Sequence, residues 1–500
     1  MSQINTISLE NYRIFKKQMK FELSPINFLI GPNSSGKSSI FKALLLLKSN
    51  ISNNLQILDF SNTNHNLSSF DNTINKDCKT KSLTFGFEAT LNNAYNSSYS
   101  KLPFTTRRSI YDILIENPWD KEVIIKIFLT YKKNDISGKL KKIEIFKEDD
   151  NNSFLILEIG DPSDEYHKLF FNHDIVLKDK ALKKNFLGLI LNKDFTIDKI
   201  SNNYTYRTSV NLKINENSIT KYYDEPMLVF SRLFGQFLDT VIKSDNKHKN
   251  LHNFFKSMPL KRILKDFSYL LENTEYIEAV RANTKRLYTN DSQGTSFNEL
   301  ILEYRSRDIN EISINFMNKW LKKFDIADKV IFDNIEGVAN TVSLMKNQEK
   351  IALADLGYGI TQFLPILMKI SLEEPIKKRD YNIIKKTILL EEPETNLHPK
   401  LQSLLADFLV DAIKTFEIRL IIETHSEYII RKMQLLTAEK NISHTDTSIY
   451  YFNNPDTFKK EDQIVKINIQ ENGTLTDDFG DGFYDEATEL KYKLLKLKKA

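Results

Sequence analysis

Apolar and polar positions change period several times along the chain, and each change predicts an element. Ile7 and Leu9 alternate with polar neighbours, so residues 4–9 and 19–30 read as strands separated by a turn at Asn11-Tyr12-Arg13. The apolar run Ile26-Asn27-Phe28-Leu29-Ile30 leads into a glycine-bounded stretch, and a strong helix former follows from Ile40 to Lys48. Residues 50–80 are rich in Asn, Ser, Asp and Thr and read as loop. Alternation returns at 82–90. Between 95 and 225, runs at 123–131, 140–146, 154–159 and 205–214 predict an extended antiparallel region inserted into the first half of a core. The period then becomes helical. Met227, Leu228, Phe230, Leu233, Phe234, Phe237, Leu238 and Val241 suit one amphipathic helix, and a second over 251–271 would complete a hairpin. Further strands are expected at 276–281 and 329–352, and helices at 309–324 and 363–370. Two short buried strands, at 387–390 and 420–422, end in polar residues.

Chemistry gathers where these strands end. The stretch after Ile30 is Gly31-Pro32-Asn33-Ser34-Ser35-Gly36-Lys37-Ser38-Ser39. A GxxxxGKS run between a strand and a helix is a phosphate loop: its glycines let successive N–H groups face one point, and the helix adds its positive end there. Lys37 would reach the β- and γ-phosphates of ATP and the Ser38 hydroxyl would bind Mg²⁺. At the end of the 387–390 strand stand Glu391 and Glu392. The first can hold the Mg²⁺ shell, and the second can orient and polarise attacking water. The 420–422 strand ends in Glu423-Thr424-His425-Ser426, which places His425 either beside the γ-phosphate or in a structural role. Gly357-Tyr358-Gly359-Ile360-Thr361-Gln362 opens a helix and offers a second phosphate-binding terminus or an ordinary glycine loop. Several residues stay open between two readings: Arg13 and Gln56 as nucleotide or metal contacts or as surface residues, and Arg281 and Arg286 as phosphate-facing, partner-bridging or merely exposed. His167 and His173 lack ligand companions and read as surface histidines.

Composition narrows the class. Five hundred residues with 41% hydrophobic content, 33 Phe and 21 Tyr can bury a large core with an insertion or more than one domain. A net charge of +4, from 70 basic and 66 acidic residues, gives no global argument for nucleic acid or membrane. The single cysteine, Cys78, rules out an internal disulfide and fits a reducing compartment. The amino terminus has neither a basic nor an apolar leader region, and no apolar run is long enough to span a bilayer. A cytoplasmic location without membrane association is expected.

Together the four motifs resemble the ABC/SMC class of ATPases, in the compact overcoming-lysogenization-defect branch often described as AAA-family ATP-binding proteins. The resemblance covers about residues 1–90 and 275–470. It implies an α/β fold: an ABC-type P-loop ATPase head, a mixed sheet with flanking helices, carrying an inserted α+β region. The expected division is an amino-terminal lobe at 1–94, an insertion at 95–272, a carboxyl-terminal lobe at 273–474 and an amphipathic tail at 475–500. Asp355–Gln362 is similar to the family's degenerate signature, Glu391-Glu392 to its Walker B pair, Asn396 and His398 to its D-loop, and His425 to its switch histidine. Two departures stand out. Glu391 occupies the place of the usual Asp, and Thr361 would replace the signature serine. In the family the signature completes the nucleotide site of the opposite protomer, which implies an ATP-held homodimer or a higher even assembly. The aromatic-acidic stretch 479–486 resembles the tail of prokaryotic ATPases with a DUF3696-type segment, which belong to anti-phage defence. No Toprim or His-Asn-His nuclease pattern is visible, so a separate effector subunit, as in Septu- and PARIS-type systems, is expected, with a phage-derived trigger and nucleic acid as open partners. The alternative is a DNA repair or maintenance ATPase that clamps DNA directly. A transporter ATPase is disfavoured by the unusual signature.

Overall fold

The computed structural model describes residues 2–53, 55–62, 65–92, 122–147, 153–159, 166–172, 207–213, 259–279, 286–289, 296–335, 339–373, 384–453, 463–479, 490, 493 and 495. The chain divides into two compact units. The first comprises 1–23, 39–274 and 380–385, and the second 24–38, 275–379 and 386–500.

The first unit is built on a nine-stranded sheet. Its strands are β1 (Gln3–Glu10), β2 (Met19–Glu22), β4 (Ile57–Leu58), β5 (Ser82–Asn92), β6 (Glu122–Asn134), β7 (Ser137–Lys147), β8 (Ser153–Glu158), β9 (Tyr166–Asn172) and β10 (Arg207–Lys213). They pair in the order β10-β9-β8-β7-β6-β5-β1-β2, with β4 on β7. Period-two burial sets the register: Leu83, Phe85, Phe87, Ala89 and Leu91 of β5 and Ile125, Ile127, Leu129 and Tyr131 of β6 all turn inward. Gly86 is required where it stands, because a Cβ there would lie 2.5 Å from the Phe128 ring on β6. The inward face meets helix α3 (Pro259–Glu272), with Phe87 and Phe267 rings 4.6 Å apart. The unit also contains α1 (Ser39–Ser49) and the short α2 (Phe70–Thr73). β5 and β6, on either side of the boundary expected at 94, are in register from Ser82↔Lys132 to Asn92↔Glu122. The strand-rich part of the expected insertion thus extends the amino-terminal sheet, and β9 joins it although the sequence pattern did not single it out.

The second unit carries a six-stranded sheet, ordered β11-β16-β17-β3-β18-β19. Its strands are β3 (Ile26–Ile30), β11 (Thr274–Ile277), β16 (Thr387–Glu391), β17 (Arg419–Glu423), β18 (Thr447–Phe452) and β19 (Ile464–Ile467). The pairs β16–β17, β17–β3 and β3–β18 are parallel. These strands are buried almost end to end, as expected of a parallel sheet covered on both faces. Helices α4 (Ser296–Ser306), α5 (Glu311–Lys323), α6 (Tyr358–Ser371), α7 (Pro399–Phe416) and α8 (Glu427–Ala438) belong to this unit. A smaller sheet of β12 (Tyr288–Thr289), β13 (Lys329–Ile335), β14 (Ala339–Lys346) and β15 (Glu349–Ala352) completes it. Trp320 of α5 packs edge-on against Phe408 of α7, 5.4 Å between centroids, and its indole N–H donates to Asp411 at 2.7 Å. A buried Trp needs such a partner, and the bond fixes α5 on α7.

One expected strand is divided. Residues 19–30 form β2 and β3, separated at Leu23-Ser24-Pro25. Pro25 has no N–H for a ladder, and the fully buried Asn27 side chain accepts from the Ser24 N–H at 2.8 Å while donating to the Ser24 and Leu420 carbonyls. A polar residue inside a buried strand is thereby satisfied, and it ties down the strand that leads to the phosphate loop. His173, Arg281, residues 226–258 and most of the expected tail lie outside the described residues, as does the side chain of His167. Leu490, Lys493 and Leu495 are helical and exposed. Among the described residues no helix is long and apolar enough to cross a membrane.

Candidate functional site

Four parallel strands deliver their carboxyl ends to one edge of the six-stranded sheet. Glu391 stands opposite Glu423, Glu423 opposite Leu29, and Ile30 opposite Tyr451. The strand bearing the histidine lies between the strand of the phosphate loop and the strand of the paired carboxylates. Open α/β sheets place ligands in such a crevice, beyond the strand ends where connections diverge.

The phosphate loop turns sharply after Ile30. Gly31 has φ 146° and a Cβ there would meet the Phe452 carbonyl at 2.3 Å, so neither conformation nor space admits a side chain. Gly36 has φ 98° and Ser34 φ 63°. Helix α1 begins at Ser39. Lys37, only 3% exposed, curls back over the loop and donates to the carbonyls of Gly31 at 2.9 Å and Pro32 at 2.8 Å. Burial pushes its ammonium pKa down, against the opposing pull of Glu423 and Glu392. The Ser38 hydroxyl donates to Glu423 Oε2 at 2.8 Å, and Glu423 Oε1 lies 3.9 Å from Lys37 Nζ. The buried hydroxyls of Ser35 and Ser39 have no hydrogen-bond partner among the described residues.

The carboxylate strand ends in a strained turn. Glu391 closes β16 and accepts from the Tyr276 hydroxyl, whose pKa is pushed up by burial and by this carboxylate. Glu392 follows with φ 39°, outside the usual range of a non-glycine residue, and its N–H donates to the Glu423 carbonyl at 2.8 Å. That conformation separates the directions of the two adjacent carboxylates. Thr395 Oγ1 then donates to Glu392 Oε2 at 3.2 Å. Glu394, 8% exposed, accepts from the His425 N–H at 2.7 Å, and so fastens the carboxylate turn to the histidine turn. Burial raises the pKa of Glu394 above the carboxylate range despite that bond. Burial also raises Glu423, with Glu391 and Glu392 reinforcing it and Ser38 and Lys37 opposing it. His425 is exposed, and its pKa is lowered by partial desolvation and then by Lys37, with Glu392 opposing.

The other expected residues fall into two groups. His398 caps α7, its Nδ1 accepting from the Lys400 N–H at 3.4 Å, with Pro399 at the first helical position. Asn396 has φ 63°, and its carbonyl lies 2.5 Å from where a Cβ of Gly359 would stand. Gly357 caps α6 and is exposed. Thr361 is the residue expected to present a hydroxyl to a second protomer. Thr361 is 2% exposed and Gln362 1%, because the helix starts at Tyr358 and its fourth and fifth residues turn to the inner face. Gly357 is exposed, and Gly359 and Ile360 are half-buried. Arg286 is exposed and pairs with Asp355 at 2.7 Å. Arg13 and Gln56 belong to the first unit. Gln56 is 9% exposed and is therefore not a surface glutamine.

Sequence reasoning gave no role to Glu423 or Tyr276, and placed Glu394 and Thr395 in the D-loop stretch 394–399 without their bonds to the His425 N–H and to Glu392. Only the crowding of carboxylates at two strand ends, Glu391-Glu392 and Glu423, pointed toward them. The residues present fit a Mg²⁺-bound nucleotide: a curled loop with orphaned buried hydroxyls, a buried lysine, and hard oxygen donors from Ser38, Glu391 and Glu423.

A family model described as AAA ATPase domain matches residues 3–430. The chain belongs to that ATPase family. A second model, a protein of unknown function termed DUF3696, matches residues 442–494 of this family member. The chain is 24% identical over 486 residues to the endonuclease GajA of Bacillus cereus (strain HuB5-5), a match covering 90% of this chain and 59% of that protein. Among solved structures it is similar to the SMC head domain from Thermotoga maritima, with 10% identity, TM-score 0.36, and 94% and 99% of the two chains covered. It is also similar to the Smc head domain with an extended coiled coil bound to the C-terminal domain of ScpA, from Pyrococcus furiosus, with 12% identity, TM-score 0.39 and full coverage of both chains. These structural likenesses are too distant to bear on function.

Proposed function

We propose that the chain binds ATP with Mg²⁺ at the phosphate loop, hydrolyses it, and uses nucleotide-dependent dimerisation to control a separate effector in anti-phage defence. The observation that carries the reading is the convergence of Lys37, Ser38, Glu391, Glu392 and Glu423 at the carboxyl ends of adjoining parallel strands. Bound Mg²⁺ would supply charge neutralisation at the transferring phosphate. Lys37 would leave its two loop carbonyls for phosphate oxygens. Glu392, aimed by its left-handed backbone and by Thr395, would accept the proton of the attacking water. His425, held at its N–H by Glu394, would lie beside the phosphate as a neutral imidazole at physiological pH. The backbone at Gly357 and Gly359, where α6 starts, would face the nucleotide of a second copy.

Membership of an ATPase family supports the nucleotide chemistry, and a relative named as an endonuclease supports a nuclease effector. The test is copurification of the tagged chain with the products of its neighbouring genes, with nuclease assays on each component. A stoichiometric partner that holds the nuclease activity agrees with the proposal. A chain that purifies without protein partner and with tightly bound DNA contradicts it and favours a DNA clamp, whose ATPase would be DNA-stimulated with steep salt dependence.

A further inference from the structure

We infer that Glu423 makes the phosphate loop selective for metal-bound nucleotide, by occupying Lys37 and Ser38 until Mg²⁺ gives its carboxylate another partner. The inference deepens the ATP-site reading above and rests on it. Glu423 closes β17, between the phosphate-loop strand and the carboxylate strand, and is 8% exposed. One of its oxygens accepts the Ser38 hydroxyl at 2.8 Å and the other lies 3.9 Å from Lys37 Nζ. A single carboxylate therefore engages both side chains that the loop offers to a nucleotide.

The consequence is electrostatic. Metal-free ATP must take Ser38 from Glu423 and Lys37 from the Gly31 and Pro32 carbonyls and the nearby Glu423 charge, then sit as a polyanion near Glu423, Glu391 and Glu392. Like charges at this depth repel strongly because little water screens them. With Mg²⁺ bound, the balance would reverse: Ser38 and Glu423 would turn from each other to the ion, directly or through its water, and its charge would offset that of the carboxylates. Glu423 acts here on metal and loop; proton transfer from water is not its role.

The experiment is equilibrium binding of a fluorescent ATP analogue to the full chain, in Mg²⁺ and in excess EDTA, for wild type, Glu423→Gln, Glu423→Asp and Ser38→Ala. Wild type should bind at least about 100-fold more tightly with Mg²⁺. Glu423→Gln should close that gap by about tenfold, the change that roughly 1.4 kcal/mol represents, chiefly through tighter metal-free binding. Glu423→Asp, which keeps the charge, should retain most of the Mg²⁺ dependence. Ser38→Ala frees the carboxylate without removing its charge, so metal-free binding should not tighten. Thermal melts confirm folding of each variant. An unchanged Mg²⁺ dependence in Glu423→Gln, with normal saturable binding, overturns the inference and leaves the ATP site standing. Failure of the wild type to bind the analogue even with Mg²⁺ overturns both.

Discussion

At the scale of single residues, the site is a set of carboxylates held at different tasks by different neighbours. Glu391 is held by Tyr276, Glu392 by Thr395 and its own backbone, Glu423 by Ser38, and Glu394 by the His425 N–H. Glu394 positions His425 through the His425 N–H. Its raised pKa has a consequence for stability. A carboxyl whose pKa is higher folded than unfolded binds more protons in the native state. Its contribution is therefore most favourable below the ordinary carboxylate range, and is lost as pH rises through the folded value. Glu394→Gln keeps an acceptor for the His425 N–H and removes the buried charge. The stability of the variant relative to wild type should be most favourable near neutral pH and above, and should fall as the pH drops toward the ordinary carboxylate range. Parallel thermal melts across that range check it; a difference that does not vary with pH contradicts it.

At the scale of elements, backbone contact couples the opening of α6 to the turn after β16. Gly359 lies against the Asn396 carbonyl, and only hydrogen fits between them. Gly359→Ala would force the helix away from that turn, since the obstructing atom is backbone with no side-chain rotamer to move. The expected cost is about 1–3 kcal/mol of stability, with loss of ATP turnover as Thr395 and Glu392 shift. A variant with wild-type melting and turnover would show that the two elements are independent. Elements of this unit were legible where pattern and chemistry coincide. The phosphate loop, the β16 and β17 strands and the start of α7 carry their own punctuation: glycines, Pro399, or carboxylates after an apolar run; α6, expected at 363–370, begins five residues earlier, at Tyr358. The break between β2 and β3 was not legible, because Asn27 reads as an ordinary strand residue until its bonds to Ser24 and Leu420 are seen. The burial of Thr361 was hidden for a similar reason. A motif aligned by its glycines fixes where the helix starts, while the apolar neighbours Phe363, Leu364 and Leu367 decide which face turns inward.

At the scale of the molecule, the family assignment spans residues 3–430, and the nine-stranded sheet takes strands from both sides of the lobe boundary expected near 94. Alternating strands announce themselves, but which sheet they join depends on partners distant in sequence. Glu423 was passed over likewise: its partners Ser38 and Lys37 are 385 and 386 positions away. The proposed dimer is tested by sedimentation of Glu392→Gln with Mg²⁺ and ATP. That variant should retain binding, lose about 100-fold or more in hydrolysis and accumulate as a dimer, whereas wild type should dimerise only transiently. To hold 99% of chains in the closed form from a 1% start, nucleotide must favour that form by about 10⁴-fold. A monomeric Glu392→Gln at saturating ATP contradicts this part of the account.

The central claim, that these strand ends form one Mg²⁺–ATP site, is tested most directly by equilibrium dialysis of radiolabelled ATP with Mg²⁺ against wild type and Lys37→Ala. The account predicts one saturable nucleotide per wild-type chain and a loss of affinity of about 100-fold in Lys37→Ala, with its fold retained. Equal affinity in the two proteins, or no saturable binding to the wild type, would contradict it.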